Sequence, residues 1–166
     1  SASQPLPQPY LTCYSDADWG GDEETLQSTS GYVYLLSSGA ISWQSKKQER
    51  VTLSSTEAEY MAMTLALKEG IWLKHFLKET MLFPDHPLLL RCDNMSAIML
   101  AKNLKHSALT KHIAMKLQFT RELLQEGNIE IAHVRTEEQW ANFLTKSTKK
   151  SKHYESCNHI GLKPII

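Results

Sequence analysis

The chain has 166 residues, 42% hydrophobic and 22% charged, with 18 Lys and Arg balanced by 18 Asp and Glu. This suits one folded domain with its own core and excludes a disordered or low-complexity chain. A formal charge of zero argues against a simple basic nucleic-acid module, whose affinity would rest on neutralising phosphates, but leaves room for acids gathered in one place and bases in another.

Residues 1–9, SASQPLPQP, hold three prolines and no periodicity and read as a linker or cloning remnant, such as the tail of a connection from a preceding domain. Tyr10 to Tyr14 predicts a strand ending at the acidic cluster Asp16-Ala17-Asp18, and Trp19-Gly20-Gly21-Asp22 is turn material. Gly31–Leu36 and Ala40–Gln44 predict two more strands, and the short connections make the three an antiparallel meander. The period then changes. Ser54 and Glu57 have capping-box spacing, and Met61, Ala62, Leu65, Ala66, Trp72 and Phe76 recur at helical intervals, with Gly70 as the weak point. Pro84 and Pro87 end that region. Leu88–Cys92 is the apolar run of a buried strand, followed by a short helix over Met95–Lys102 and a longer one over Thr110–Gln125. Ile129–Val134 alternates as a strand, Glu137–Lys146 predicts a final helix, and the rest is a basic tail. The order predicts an α/β fold: a five-stranded mixed sheet with helices on both faces, one domain over 10–147 and a tail over 148–166. No apolar run approaches the roughly 20 residues that span a bilayer, and no signal-peptide pattern opens the chain. Three cysteines, Cys13, Cys92 and Cys157, build no disulfide framework, so reduced thiols are expected.

The acids are the most informative residues. Asp16 closes the first strand, Glu57 and Glu59 open the long helix, and Asp93 closes the apolar fourth strand. A carboxylate at the end of a buried strand is costly to place there for packing alone. Several brought together would repel one another, and hard divalent cations such as Mg²⁺ or Mn²⁺ relieve that. Helix periodicity does not choose between Glu57 and Glu59, since both flank the apolar stripe. The residues by themselves therefore point to an acidic, metal-binding cluster.

At this point a resemblance is specific. Tyr14-Ser15-Asp16-Ala17-Asp18-Trp19, Ser28 to Val33, Ile41 to Gln48, Leu53 to Tyr60, Cys92-Asp93-Asn94, Thr110-Lys111-His112-Ile113 and Leu144-Thr145-Lys146 resemble, in order, the ribonuclease H domain of copia-type retrotransposon Pol polyproteins. The resemblance runs from about Tyr10 to Leu162. It implies a ribonuclease H-like fold and an endonuclease that cuts the RNA strand of RNA–DNA hybrids using two Mg²⁺ or Mn²⁺ ions. It implies metal-binding acids at Asp16, Glu59 and Asp93, with a fourth in the pattern Ala-Asp-x-Leu-Thr-Lys. Here that pattern reads Ala141-Asn142-Phe143-Leu144-Thr145-Lys146, so Asn142 stands where the family has Asp. Ala114 replaces a second expected Asp.

Asn keeps the shape of Asp but loses its charge and one strong ligand oxygen. Weakened metal binding and reduced or abolished hydrolysis follow, or a module that binds nucleic acid or protein without cutting. The expected partners are the hybrid and the reverse transcriptase domain of the same polyprotein, with no membrane and no small-molecule cofactor. The expected setting is the cytoplasm, in a retrotransposon particle, or the nucleus, not the secretory route. A hybrid would be read by shape and backbone. Lys46, Lys47 and Arg50, after the third strand, are candidates for phosphate. Ser15 and Asn94 beside the acids, Gln44 toward the minor groove, and Trp19 beside Asp16 are candidates for other contacts. Trp43, Trp72 and Trp140 are expected in the core or at its edge. His153, Cys157 and His159 have ligand chemistry but no zinc spacing.

Overall fold

The structure is a computed structural model, and it describes residues 11–80, 84–103 and 111–165. The linker reading of residues 1–9 lies outside them, as do Tyr10, Thr110 and the side chain of Lys111. Five strands, β1 (Leu11–Asp18), β2 (Thr29–Leu36), β3 (Gly39–Lys47), β4 (Leu88–Cys92) and β5 (Ile129–His133), form one sheet in the order β3-β2-β1-β4-β5. β1, β2 and β3 are antiparallel neighbours; β1, β4 and β5 run parallel. The mixed sheet is therefore the one expected. Its first and third strands run further than the periodicity indicated, so Asp16 lies inside β1 and Lys46 and Lys47 end β3 rather than following it.

Helix α1 (Ser55–Glu79) starts as its capping box indicates: the Ser54 hydroxyl accepts from the Glu57 N–H at 3.1 Å, and the Glu57 carboxylate accepts from the Leu53 N–H at 2.9 Å. α1, α2 (Met95–Lys102) and α3 (Lys111–Gln125) cover one face of the sheet. Beneath them lie Leu11, Cys13, Tyr34, Tyr60, Met63, Leu67, Leu90 and Ile131. Gly70 has a packing purpose: a Cβ there would overlap the Tyr34 hydroxyl, which donates to the Ala66 carbonyl at 2.6 Å.

The inner stripe of α1 runs through Ala62, Met63, Ala66, Leu67, Gly70, Leu73 and Leu77: Ala62 and Ala66 lie on it as read from sequence, Met61 and Leu65 lie at its edge, and Trp72 and Phe76 lie off it. Trp72 and Phe76 consequently stack on each other at the surface, Trp72 being 60% exposed. Trp43 is also outside the core, 62% exposed, because it lies on the edge strand β3. Of the three core tryptophans expected, only Trp140 is buried.

The opposite face holds a smaller core of Tyr14, Val33, Leu35, Val134, Trp140, Ala141 and Ile160. The helix expected over Glu137–Lys146 is replaced by two 3₁₀ turns, Thr136–Glu138 and Asn142–Leu144. Gln139 explains the break. Fully buried, it donates through Nε2 to the Ser15 carbonyl at 2.9 Å and accepts from the Ala141 N–H at 3.3 Å, bonds that draw the chain between the turns onto β1. Residues 150–159, within the basic tail, form α4 (Lys150–His159). Its end is tied down where Ala40 donates to the Ile160 carbonyl at 2.9 Å and His159 stacks on Trp140.

Candidate active site

Four elements meet at the end of the sheet where β1 and β4 finish. β1 places Asp16 there, 1% exposed; the first turns of α1 bring Glu59, 8% exposed; Asp93 follows β4; and the second 3₁₀ turn brings Asn142, 6% exposed. Close approach on the turn side depends on Gly31, which pairs with Asp16 across the β1–β2 ladder. A Cβ at Gly31 would sit 2.7 Å from Thr145 Cγ2 and 2.9 Å from Leu144 Cβ. The choice between Glu57 and Glu59 is resolved by their hydrogen bonds: Glu57 serves the helix cap, whereas the Ala17 backbone N–H bonds to the Glu59 carboxylate.

The electrostatics are those of crowded acids. Burial, followed by the charges of Asp16 and Asp93, raises the proton affinity of Glu59. Burial also raises that of Asp16, against the opposing pull of Lys146 and the Thr145 hydroxyl. Ligand atoms of Glu59, Cys92 and Asp93 lie within 4.8 Å of one another. The Cys92 thiol is pushed up by burial and by Glu59, so it stays protonated and is a poor ligand. The oxygens of Asp16, Glu59 and Asp93 are the hard donors that suit one Mg²⁺ or Mn²⁺ ion, whose charge would relieve their repulsion.

The Asn142 side differs in kind. With its amide nitrogen turned to Asp16, Asn142 donates to Oδ1 at 3.1 Å and Oδ2 at 3.0 Å. Thr145 Oγ1 donates to Asp16 Oδ2, and Lys146 Nζ stands 3.7 Å from the same oxygen. An amide, a hydroxyl and an ammonium thus supply the positive environment that a second cation would otherwise give. Asn142 therefore brings no charge to a second ion and can offer it only an amide oxygen.

The other residues singled out divide into two groups. Lys46, Lys47 and Arg50 line one cavity of about 230 Å³ together with Lys68 of α1 and His112 and Lys116 of α3. Burial lowers the proton affinity of Lys116 and His112, and Lys68 lowers both further. These basic groups are crowded, and Glu49 is the only acid in the lining among the described residues. Lys68, His112 and Lys116 were invisible as a cluster in the sequence because they come from two helices. Trp19 keeps half its ring exposed while donating from Nε1 to the Thr52 carbonyl at 3.2 Å. Gln44 is half-buried on β3 and is not part of the basic cavity.

Asn94 has a structural task, and the buried Ser15 hydroxyl finds no hydrogen-bond partner among the described residues. Ser15 is fully buried and its hydroxyl reaches no surface; Asn94 caps α2, accepting from the Ala97 N–H at 2.9 Å. His153 and Cys157 approach to 3.6 Å, but His159 lies against Trp140, so the three do not converge. Among the described residues no helix is long and apolar enough to cross a membrane.

No family model matches the chain. It is 43% identical, over 92% of its length, to the retrovirus-related Pol polyprotein from transposon TNT 1-94 of Nicotiana tabacum, and covers 11% of that protein. The chain thus spans about a tenth of the length of this curated relative. Its fold superposes on ribonuclease H1 from Halobacterium salinarum with a TM-score of 0.59 at 19% identity, covering 82% of this chain and 94% of that one. It superposes on LC11 ribonuclease H1 in complex with an RNA/DNA hybrid with a TM-score of 0.60 at 16% identity, covering 81% and 93%.

Proposed function

Because this chain belongs to the retrovirus-related Pol polyproteins of copia-type transposons and has the ribonuclease H fold, we propose that it is the ribonuclease H segment of such a polyprotein. In this reading its substrate is the RNA strand of an RNA–DNA hybrid, and Asn142 reduces or abolishes the hydrolysis. The observation that carries the reading is the meeting of Asp16, Glu59 and Asp93 at one strand end, with a cationic cavity on the same protein.

Asp16, Glu59 and Asp93 would hold a divalent cation, which supplies water activation and stabilises charge on the leaving oxygen in phosphodiester hydrolysis. The chain's own residues do the rest. Lys46, Lys47, Arg50, Lys68 and Lys116 neutralise backbone phosphates, a contact that carries no sequence preference and suits a duplex read by shape. Trp19 offers an exposed ring face for stacking beside the β1 end. Thr145 and Lys146 hold the Asp16 carboxylate in place. The partner in cis would be the reverse transcriptase region of the polyprotein, within a retrotransposon particle in the cytoplasm or the nucleus.

A second reading is favoured by one observation, the Asn142 amide seated on both oxygens of Asp16. In that reading the domain binds hybrid or a protein partner without cutting. A cleavage assay on hybrid RNA with Mn²⁺ separates the two. The Asn142→Asp variant is expected to cut at least about a hundredfold faster than the chain with Asn142, since a lost charge at a metal centre is worth several kcal/mol. No cleavage by the variant, with hybrid binding retained, would establish the binding module instead.

A further inference from the structure

Arg91 lies in β4 between Leu90 and Cys92, both in the α1-side core, so the strand's alternation sends its side chain to the other face. There it is half-buried and enters no ion pair among the described residues. Its Nε is buried without a hydrogen-bond partner. A guanidinium N–H left in that state is costly, because burial removes water without returning an acceptor.

A cavity of about 410 Å³ opens beside it. Thr12 and Tyr14 of β1 form its floor with Arg91, Ser38 of the β2–β3 turn forms one wall, and Asn158 and His159 of α4 form another. No lining residue is acidic. Two carboxylates act on its lining from outside: Glu138, paired with Arg135 at 3.3 Å, on Tyr14 and His159, and Glu155, paired with Lys152 at 3.3 Å, on His159.

We propose that this recess is a binding site for a phosphate group, with Arg91 as its charged anchor. The guanidinium fork matches two oxygens of a phosphate, and the hydroxyls and amide on the surrounding walls can donate to the others. Donors arriving from three separate elements suit a tetrahedral oxyanion better than a planar carboxylate. The volume falls within the range of small-ligand pockets, so a phosphate carrying a small group also fits. Thr12 lies four residues from Asp16 along β1, about 13 Å away at the rise of a strand. The inference therefore stands independently of the acidic site, and its test needs no cleavage.

The phosphate could arrive free in solution or as part of a nucleic-acid backbone, and two titrations separate these. Both use a Lys68→Gln/Lys116→Gln background, so that the basic cavity does not dominate. In the first, inorganic phosphate is titrated by calorimetry and by following the amide resonances of Ser38 and Asn158. In the second, the ligand is a blunt RNA–DNA duplex. Arg91→Gln is expected to weaken inorganic phosphate binding by about tenfold, the loss of one charge-assisted interaction. A parallel loss of duplex affinity assigns the site to backbone phosphate; an unchanged duplex affinity assigns it to free phosphate. Asn158→Leu, on the exposed side of α4, serves as the second variant if Arg91→Gln does not fold, with a smaller loss expected. Equal phosphate binding in the background and in both variants, or phosphate shifts that leave Ser38 and Asn158 unmoved, overturns the proposal.

Discussion

The α1 face of the sheet buries Tyr34, Tyr60, Met63, Leu67 and Leu90 under three regular helices. The opposite face closes Tyr14, Val33, Trp140 and Ile160 under two 3₁₀ turns and the short α4. The first face is held by repeating side-chain area; the second depends on a few specific contacts, such as the buried Gln139 amide and the missing Cβ of Gly31. Yet the second face supplies Asn142, Thr145 and Lys146, which decide how Asp16 is neutralised. Site chemistry thus draws on both sides of the sheet, Glu59 coming from α1 and Asn142, Thr145 and Lys146 from the turns.

Core truncations give the largest contrast. Leu67→Ala on the α1 face is expected to cost about 3 to 4 kcal/mol in urea unfolding, and Ile160→Ala on the other face about 2, because the thinner face can collapse around the loss. Equal costs would mean that the two cores are equally tight. Gly31→Ala is next, at about 1 to 3 kcal/mol, since the added methyl collides with Thr145 and Leu144. It should also cancel any gain in cleavage from Asn142→Asp by displacing the turn; a fully active double variant would show that the turn's position is unimportant.

Removing the charges of Lys68 and Lys116 sharpens the functional side. Hybrid affinity should fall, and the slope of log affinity against log salt should shrink by about one per lysine that meets a phosphate. An unchanged slope would move the duplex away from this cavity.

The smallest effect is a pH dependence without divalent ions. Asp16 and Glu59 bind protons more tightly folded than unfolded. The stability they lend is therefore full at low pH and is lost as pH rises through their folded values. The melting temperature should decline between about pH 4.5 and about pH 9, and Mn²⁺ should offset the decline at the upper end. A melting temperature that rises over this range would contradict the crowding of these acids.

The sheet was legible because its strands carry their own pattern: GYVYLL and LLLRC each declare a buried strand without help from the rest of the chain. The Ser54 cap was legible for the same reason, three residues of spacing being enough to define it. Asp16 and Asp93 could be suspected from their place at strand ends. The phase of α1 was legible at Ala62 and Ala66 but not beyond them, because Trp72 and Phe76 continue a credible apolar stripe, and it is at Gly70 that Tyr34 and Leu88 choose its rival. Residues 137–146 were legible as a motif but not as a shape, since Gln139 abandons the helix for a bond to Ser15, more than a hundred residues earlier.

Local sequence thus determined the five strands, the first three helices and the candidate acids, but not the turns over 136–144 or α4, since periodicity, capping and composition act over a few residues. Tertiary structure decided that Glu57 turns to the helix cap while Glu59 meets Asp16, that five Lys and Arg side chains and His112 share one cavity, and that the Asn142 amide lies on the carboxylate it would otherwise accompany as a ligand. The physical reason is that like charges and buried donors interact through space over a few ångströms, whatever their separation along the chain.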